Sequence, residues 1–424
     1  MKMIAGPRRQ RCVAIFGILL TTVALIGGTA GCNVEPPLQC DLNISSTEGG
    51  SVIIPGEDTF AYNRTTVVNL VAEADNGYQF VKWTGDVATI EDVKAASTTI
   101  TMNATCSITA VFATGIWDWE GLNATRDNLG GRYVLMNDLD STSTDYEELA
   151  SSTANEGQGW QPIGTEDQPF TGGLYGQGHT ISDLFIDRPE GQQIGLIGFV
   201  GKGGVIEDLG LVNATVSGYE HVGALMGSNS EGIVNNSYST GSAGSVRGYM
   251  RIGGLVGWNR GIVSKSYSTV RVTYARSVGG LVGYNTGTVS DSYSSGSVSG
   301  FEYVGGLIGT NHVGGAVNNC YSSTTVTYEL PPKGGLIGVN YMFLGGVTDS
   351  FWDIQTSGLD SSAGGTGKTT AEMKDMDTFS GAGWNITAVA NPDTRNSSCI
   401  WNIVDGETYP FLSWEPTFLN TTGA

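Results

Sequence analysis

The chain contains 424 residues, 63 of them glycine, with only 15% charged residues and a formal net charge of −20 at pH 7. The low charged fraction and the glycine content are typical of a folded β protein and argue against a disordered chain, while the length allows two or three domains. An acidic surface repels phosphate backbones, so the composition argues against nucleic acid as a partner.

The first segment has the layout of an export signal. Basic residues that include Arg8 and Arg11 precede an apolar run over residues 13–26, and small residues follow up to Cys32. The run is shorter than the roughly 20 apolar residues that a membrane-spanning helix needs. We therefore expect residues 1–31 to be removed as a signal peptide and residues 32–37 to form a linker.

The end of this signal, Thr29-Ala30-Gly31-Cys32, resembles a bacterial lipobox. The resemblance implies that Cys32 becomes the lipidated first residue of an exported protein, anchored to the membrane at the cell surface. Ordinary cleavage that leaves Cys32 as a free thiol is the alternative, and the sequence leaves it open.

Residues 38–114 have the pattern of short strands separated by glycine-rich turns. Through Gly77-Tyr-x-Phe-x-x-Trp83 and the closing Ala110-Val-Phe112, this segment resembles the divergent internalin-B-type repeat, which implies a small β-grasp-like domain. Tyr78, Phe80 and Trp83 are expected in its core, and ligand binding by these rings is the alternative. Because Cys40 and Cys106 flank one small domain of an exported protein, we expect them to form a disulfide.

A glycine-rich phrase occurs five times in the second half of the chain, at residues 222–229, 252–259, 278–285, 304–311 and 333–340. A second phrase, Ser-Tyr-Ser or a variant of it, follows each copy at a nearly constant distance, as at residues 292–294. Two phrases in fixed phase indicate one structural unit that is repeated. The unit lacks helix-forming residues, so we expect about three short strands per unit.

A single coil of this kind cannot bury its own apolar side chains, whereas stacked coils place each side chain over its equivalent. Three such columns can be predicted: Leu225, Leu255, Leu281, Leu307 and Leu336; Val234, Val263, Val289, Val317 and Val347; and Asn229, Asn259, Asn285, Asn311 and Asn340. We expect the asparagines to form a hydrogen-bonded corner ladder with left-handed backbone. The predicted fold is a parallel β-helix.

The phrase Gly-Gly-Leu-Val-Gly-x-Asn, followed by Gly-x-Val-x-x-Ser-Tyr-Ser, resembles the GLUG repeat of large secreted bacterial proteins such as IgA-specific metallopeptidases and haemagglutinin-like adhesins. The predicted class is all-β: a right-handed parallel β-helix with coils over residues 201–352. Residues 115–200 are expected to form its N-terminal cap and first coils, with a helix near residues 117–129. Residues 353–424 are expected to form a C-terminal cap with a short helix starting at Thr369 or Thr370.

An aromatic residue precedes each repeat phrase and predicts a stripe along one corner of the solenoid: Tyr219, Tyr249, Tyr274, Phe301 and Tyr328. Flat aromatic faces suit sugar rings, so this stripe is a candidate ligand-binding site, which Trp258 and Tyr284 beside the asparagine column would extend. The alternative is mutual stacking that only protects the corner.

Catalytic patterns are weaker. The histidines do not form a His-Glu-x-x-His motif, so the peptidase chemistry of some GLUG proteins does not carry over. The carboxylates of the repeats, which include Glu207, Asp208, Asp291 and Asp349, are not expected to form one column. Three acidic residues near Asp140 lie in a predicted loop, where they would bind Ca²⁺ or face water.

We therefore expect an exported, membrane-anchored lipoprotein at the cell surface, monomeric and without a cofactor. Its predicted function is non-catalytic adhesion or ligand binding, with an extracellular glycan or envelope protein as partner. A polysaccharide lyase or hydrolase on the same fold is the first alternative. A structural spacer of the envelope is the second.

Overall fold

The computed structural model describes residues 38–241, 244–341 and 346–416. The expected signal peptide, Cys32 and the linker over residues 32–37 lie outside these ranges. Across the described ranges, no helix combines the length and the apolar character needed to cross a membrane.

The N-terminal module consists of two sheets that enclose a small core. One sheet contains strands Gln39–Ser46, Thr59–Asn63, Tyr78–Gly85 and Cys106–Ile116, and the other contains Gly50–Ile54, Val67–Ala74 and Ser97–Thr101. Trp83 and Phe112 are buried between the sheets, and Phe80 packs against both with ring centroids 5.7 and 5.8 Å away. The predicted core role is confirmed for Phe80 and Trp83, whereas Tyr78 is half-buried and lies outside this core.

The expected disulfide is wrong, because Cys40 and Cys106 are both free thiols. Their strands pair in parallel with Leu42, not Cys40, opposite Cys106. A two-residue offset between adjacent strands separates the two Cα atoms by roughly 8 Å, beyond the about 7 Å that a disulfide spans. The Cys40 thiol instead lies 3.7 Å from the carbonyl oxygen of Tyr62.

The repeats form a parallel β-solenoid, as predicted, with about six turns and five sheets along its length. Each turn crosses the five sheets in the order I to V. Sheet I comprises Gly173–Tyr175, Val205–Glu207, Ile233–Asn235, Ile262–Ser264, Thr288–Ser290, Ala316–Asn318 and Val347–Thr348. Sheet II comprises Thr180–Ser182, Gly210–Val212, Tyr238–Thr240, Tyr267–Ser268, Tyr293–Ser294, Tyr321–Ser322, Phe351–Asp353 and Thr366–Lys368.

The other three sheets each contain six strands. Sheet III comprises Phe185–Asp187, Thr215–Ser217, Ser245–Arg247, Arg271–Ala275, Ser297–Gly300 and Thr325–Tyr328. Sheet IV comprises Gln192–Ile194, Glu220–Val222, Met250–Gly253, Val278–Gly279, Val304–Gly305 and Lys333–Gly334. Sheet V comprises Ile197–Val200, Met226–Asn229, Val256–Asn259, Val282–Asn285, Ile308–Asn311 and Ile337–Asn340. Each turn therefore contains five strands rather than the predicted three, because tight corners divide the predicted strands into shorter ones.

The predicted columns fill the interior. The five leucines are fully buried, and the valines pair in register from Val234 to Val347 along sheet I. Cys320 replaces a serine of the second phrase and is also fully buried. Each coil thus covers the apolar face of the next, as expected for a solenoid.

The asparagine ladder is confirmed, but its backbone differs from the expectation. Amide-to-amide distances from Asn229 to Asn311 are 2.9 Å, and the last step to Asn340 is 3.2 Å. The asparagines are in extended strands rather than left-handed turns. Positive φ angles occur instead at the corner between sheets I and II, at Asp208, Asn236, Lys265, Asp291, Asn319 and Asp349.

The N-terminal module is joined to the solenoid through a shared sheet. The last strand of the module pairs in parallel with Arg132–Leu135, which in turn pairs with the first strand of sheet I. The Lys94 ammonium is 2.8 Å from the Asp208 carboxylate, and Lys82 forms an ion pair with Glu207. The module therefore rests directly on the first coils.

Short helices cover the start of the solenoid. An α-helix at Trp119–Asn123 continues as a 3₁₀-helix at Ala124–Asp127, confirming the predicted helix, and shorter segments follow at Tyr146–Leu149 and Asn155–Gly157. Trp119 and Trp160 are fully buried beneath them. These segments shield the edge of the first coil, which would otherwise be an unpaired strand edge.

The C-terminal part covers only part of the far end. Helix Ile354–Ser357 and the segment up to Lys368 close the last coil, where the backbone N–H of Ala363 donates to the carbonyl of Ile337. Residues 369–416, the C-terminal strap, then return along the side of sheet II. The strap contains Glu372–Lys374, Met376–Ser380, Ile386–Ala388, Trp401–Ile403 and Phe411–Leu412. The short helix predicted from Thr369 or Thr370 is a 3₁₀-helix at Glu372–Lys374, and Thr369 and Glu372 exchange two backbone-to-side-chain hydrogen bonds at its start.

The strap covers a ladder of tyrosines that the second phrase supplies. Tyr238, Tyr267, Tyr293 and Tyr321 stack with successive ring centroids 4.9 Å apart. Trp401 packs against Tyr293 and Tyr321, and Trp414 packs against Tyr238 and Tyr267. The C-terminal residues therefore form a lateral cover for the solenoid, not only the predicted end cap.

Glu415 belongs to the strap and is buried, and its carboxyl group gives a pH-dependent prediction. Burial raises the pKa of Glu415 to about 7, although the Leu412 N–H donates to its carboxylate. The folded state thus retains a proton that the unfolded state loses, so stability should fall as pH rises from about 4.5 to 7, by about 3 kcal/mol. Glu415→Gln should raise the melting temperature near pH 8 and leave it almost unchanged near pH 4.

Thermal unfolding at both pH values measures this effect. The exposed Glu407→Gln change is the matched control, because that carboxylate lies outside the buried layer. An equal gain for Glu415→Gln at both pH values would contradict a buried carboxylate that titrates between them.

Candidate functional site

The predicted aromatic stripe is exposed but not continuous. Tyr219 and Tyr249 stack with ring centroids 5.3 Å apart, and both rings face solvent. Tyr274 sits at a register shift between Thr273 and Ala275, with φ of 67°, and Tyr328 pairs with Gly300. Phe301 is half-buried. The recurrence of an aromatic residue before each repeat phrase therefore does not place all five side chains in one column.

A continuous line of rings lies instead along sheets IV and V. The outer aromatic row comprises His221, Trp258, Tyr284, His312 and Tyr341, with successive ring centroids 5.0, 6.4, 5.5 and 5.4 Å apart. Trp258 and Tyr284 pair in register on adjacent strands of sheet V. The two residues expected to extend the stripe are therefore the centre of a different row.

A cleft of about 340 Å³ opens beside the C-terminal half of this row. It is lined by rings and arginines, chiefly Arg251, Arg276, Tyr284, Tyr303, His312 and Tyr341. The guanidinium of Arg251 lies over the Tyr284 ring, 4.9 Å from its centroid. The cleft thus combines flat apolar faces with fixed hydrogen-bond donors.

Both arginines are oriented by glutamates. Arg251 Nη1 is 2.7 Å from Glu220 Oε1, and Arg276 forms an ion pair with Glu302. Arg251 Nη1 also donates to His221 Nε2 at 2.7 Å, which requires a neutral imidazole. Burial, together with the charge of Arg251, lowers the pKa of His221 to about 3. His221 is therefore uncharged at physiological pH.

The N-terminal end of the row contains polar atoms without partners. Among the residues that the structure describes, His221 Nδ1, Ser228 Oγ and Trp258 Nε1 are buried and lack a hydrogen-bond partner. Ser228 pairs in register with Trp258, whose ring contacts His221, so the three groups are neighbours. Such groups are satisfied by an ordered water or by an oxygen of a ligand.

The carboxylates of the repeats do not form one column, since Glu207 lies in sheet I and Glu220 in sheet IV. Three of them, Asp208, Asp291 and Asp349, share the positive-φ corner between sheets I and II. Asn236, Lys265 and Asn319 occupy the same corner in the other coils, and Asn236 Nδ2 donates to Asp208 at 2.9 Å. Asp140 caps its own loop by accepting hydrogen bonds from Thr142. In the described ranges no group of three His, Cys, Asp or Glu side chains is placed to hold a metal ion.

The sequence pattern does not single out Arg251, Arg276, Tyr303, His312 and Tyr341. Arg251 and Tyr303 share the position directly before the repeat phrase, and His312 and Tyr341 share the position directly after it, but the residue type at both positions changes from copy to copy. A usable signal was the scarcity of cations, since the chain has only 21 lysines and arginines against 41 acidic residues. In a chain with so few cations, the occurrence of Arg251 and Arg276 near aromatic residues of successive repeats is unusual.

Fold and site together define a surface-type β-solenoid repeat protein with an N-terminal β module. Residues 40–116 match the family described as the Divergent InlB B-repeat domain, and residues 274–299 match the family described as the GLUG motif. Both resemblances stated from the sequence are confirmed.

Two curated relatives carry surface-protein names. Halomucin from Haloquadratum walsbyi is 40% identical over 129 residues, which cover 30% of this chain and 1% of halomucin. A protein assigned as a Gly-rich membrane protein from Evansella cellulosilytica is 37% identical over 120 residues, which cover 27% of this chain and 13% of that protein. The chain therefore spans a small part of either relative. Their names indicate a surface or membrane-associated location.

A solved structure shares the fold. The crystal structure of a protein assigned as an immunoglobulin A1 protease from Bacteroides ovatus has a TM-score of 0.50 and 19% identity, and the match covers 72% of this chain and 93% of that one. At this identity the likeness concerns the fold alone.

Proposed function

We propose that the protein is a cell-surface binding protein whose outer aromatic row and adjoining cleft bind an extended glycan of the cell envelope or its surroundings. In this proposal the chain is exported, attached to the membrane by lipid on Cys32, and acts as a monomer without a cofactor. The observation that carries it is the continuous row of rings from His221 to Tyr341 beside two arginines.

The geometry of the row suits a linear polymer. Coils repeat about every 4.8 Å, so successive coils offer ring faces and edges in series along the axis, with the planes of Tyr284 and His312 26° apart and those of Trp258 and Tyr284 77° apart. Sugar rings stack on such faces, while Arg251 and Glu220 provide a donor and an acceptor for hydroxyl groups. The half-exposed Tyr341 leaves one end of the row open to solvent.

The same geometry favours binding over hydrolysis. Glycoside hydrolysis commonly uses two carboxylates about 5 to 9.5 Å apart. Glu220 and Glu302 border sheet IV strands that are three coils apart, a separation of roughly 14 Å. Each is also engaged with an arginine. A lyase or hydrolase therefore remains the alternative to be detected by product release.

Retention of the purified full chain on immobilised polysaccharides and envelope fractions tests the proposal. We expect a Tyr284→Ala and Tyr341→Ala double variant to lose about tenfold or more in affinity, since each stacked ring contributes about 1 kcal/mol. A matched Tyr249→Ala and Tyr274→Ala variant, which removes rings of the stripe predicted from sequence, should retain binding.

Each other outcome has a defined meaning. Loss of binding only in the Tyr249 and Tyr274 variant would move the site to the predicted stripe. Release of shortened or unsaturated sugars from a retained polysaccharide would establish an enzyme. Failure of the folded chain to bind any fraction would contradict the proposal and favour the structural spacer.

A further inference from the structure

A second cleft lies at the start of the solenoid, away from the C-terminal half of the outer aromatic row. It has a volume of about 580 Å³ and opens between the segment that contains Gln158 and Gln161 and the corner before sheet IV. Its lining includes Gln158, Gln161, Arg188, Gln192, Gln193 and Ile194. With four amide side chains and one guanidinium in its lining, this cleft is more polar than the cleft beside the outer aromatic row.

The charge of Arg188 is uncompensated. Its Nη1 donates to the Gln158 amide oxygen at 2.7 Å, and its Nε donates to the Trp160 carbonyl at 3.3 Å. Within the described ranges, Nη2 has no hydrogen-bond partner and no carboxylate lies within 4.0 Å of the guanidinium. Arg188 is half-buried and its Nη2 atom is fully buried, so holding this cation without a counter-ion is costly, and the chain has an excess of carboxylates that could have supplied one.

A second arginine increases the local positive charge. Arg126 stacks on the Trp160 ring, 4.6 Å from its centroid, and donates to the carbonyl oxygens of Gln161 and Pro162. Burial and, to a lesser extent, the charge of Arg188 lower the pKa of Arg126 to about 10. Two guanidinium groups thus lie near each other, each held by neutral oxygens rather than by a carboxylate.

We infer that this cleft binds a carboxylate-bearing sugar, a uronate residue, with Arg188 as the anchor of the carboxylate. A guanidinium pairs with a carboxylate through two parallel hydrogen bonds, which an amide cannot do. The glutamine amides provide donors and acceptors for sugar hydroxyls, and Pro162, Pro189 and Ile194 provide apolar surface for a ring face.

The acidity of the whole chain does not prevent this binding. Long-range repulsion is screened over about 8 to 10 Å at physiological ionic strength, whereas a contact ion pair in a cleft is screened much less. Glu190 lines the rim, and Glu166 lies 3.4 Å from the Gln193 amide, so the rim discriminates against highly charged anions. The site is separate from the ring cleft of the proposed function and does not depend on it.

Calorimetric titration of the full chain with a galacturonate oligomer tests the inference, with the matching neutral galactose oligomer as control ligand. We expect saturable binding of the acidic oligomer alone, weakened about tenfold or more by Arg188→Gln and less by Arg188→Lys. Tyr284→Ala should leave this affinity unchanged, which separates the result from the proposed function.

Because Arg188 also donates hydrogen bonds to Gln158 and Trp160, its substitution could disturb the local structure, and a second variant that leaves Arg188 in place is needed. Gln192 is exposed at the rim, so Gln192→Glu adds a repelling charge without disturbing packing and should also weaken binding. Equal affinity for the neutral oligomer, unchanged binding by folded Arg188→Gln and Gln192→Glu variants, or no binding by the folded wild type would overturn the inference. Competition by inorganic phosphate at similar concentration would overturn the assignment to a sugar carboxylate.

Discussion

Gly283→Ala is expected to destabilise the central coils by about 3 kcal/mol or more and to lower the melting temperature by about 5 °C or more. A Cβ atom at this position would lie 2.5 Å from the carbonyl carbon of Arg251 and 2.5 Å from the backbone nitrogen of Ile252. Both atoms belong to the neighbouring coil, and neither can move without separating the stack. The cost therefore falls on the coil-to-coil hydrogen bonds.

The chain offers controls for this change. Gly130→Ala places a Cβ no closer than 3.7 Å to any neighbour and should be close to neutral. Gly280→Ala should cost at least as much as Gly283→Ala, because its Cβ would lie 2.2 Å from the carbonyl oxygen of Gly306 in the neighbouring coil, although the first copy has Ala224 at the equivalent position. Thermal and urea unfolding of the three variants would rank their losses in the free energy of unfolding. Similar stability for Gly283→Ala and Gly130→Ala would show that the coils can separate at little cost.

The columns of the solenoid could be predicted because stacking repeats the same residue at the same place. Leu281, Val289 and Asn285 each recur in every copy, and each contacts its own equivalent in the adjacent coil. The number of strands per turn could not be obtained in this way. Strands of two to five residues leave too little alternation to count. Asp or Asn occupies five of the six positive-φ positions at the corner that includes Asp291, but the positive-φ residues at sheet IV, such as His221 and Arg251, share no side-chain type.

The candidate site was predicted only at its centre. Trp258 and Tyr284 stand beside the asparagine ladder in sequence, so their place on sheet V followed from the repeat. The predicted stripe is interrupted at Tyr274, because this residue is an extra one that bulges its strand, with φ of 67°. His312 and Tyr341 follow the strands of sheet V by one residue, a shift that the spacing alone does not show.

The lateral position of the strap was missed for a different reason. The tyrosine of each second phrase marked the repeat period, but its outward direction creates a long aromatic surface that needs a cover. Trp384, Trp401 and Trp414 are the matching apolar residues at the other end of the chain. Only the tertiary structure shows that these two sets meet.

Trp401→Ala is expected to release the strap while the solenoid stays folded. Trp401 is fully buried, with ring centroids 6.1 Å from Tyr293, 5.9 Å from Tyr321 and 4.9 Å from Trp384. Removal of such a side chain costs about 3 to 5 kcal/mol. The strap has its own three-stranded sheet, so we expect the loss to fall on its docking and not on the coils.

Hydrogen exchange resolved by segment would measure this release. Backbone amides of residues 369–416 should lose protection, whereas those around Leu281 should keep it. The Tyr321 hydroxyl, which donates to the Pro410 carbonyl at 2.7 Å, would lose its partner, so tyrosine solvent exposure should rise in parallel. Trp117→Ala is the control, since that side chain is 54% exposed and lies outside the strap. Equal loss of protection in strap and coils would mean that the two unfold as one unit, because the tyrosine ladder then needs its cover to hold the coils together.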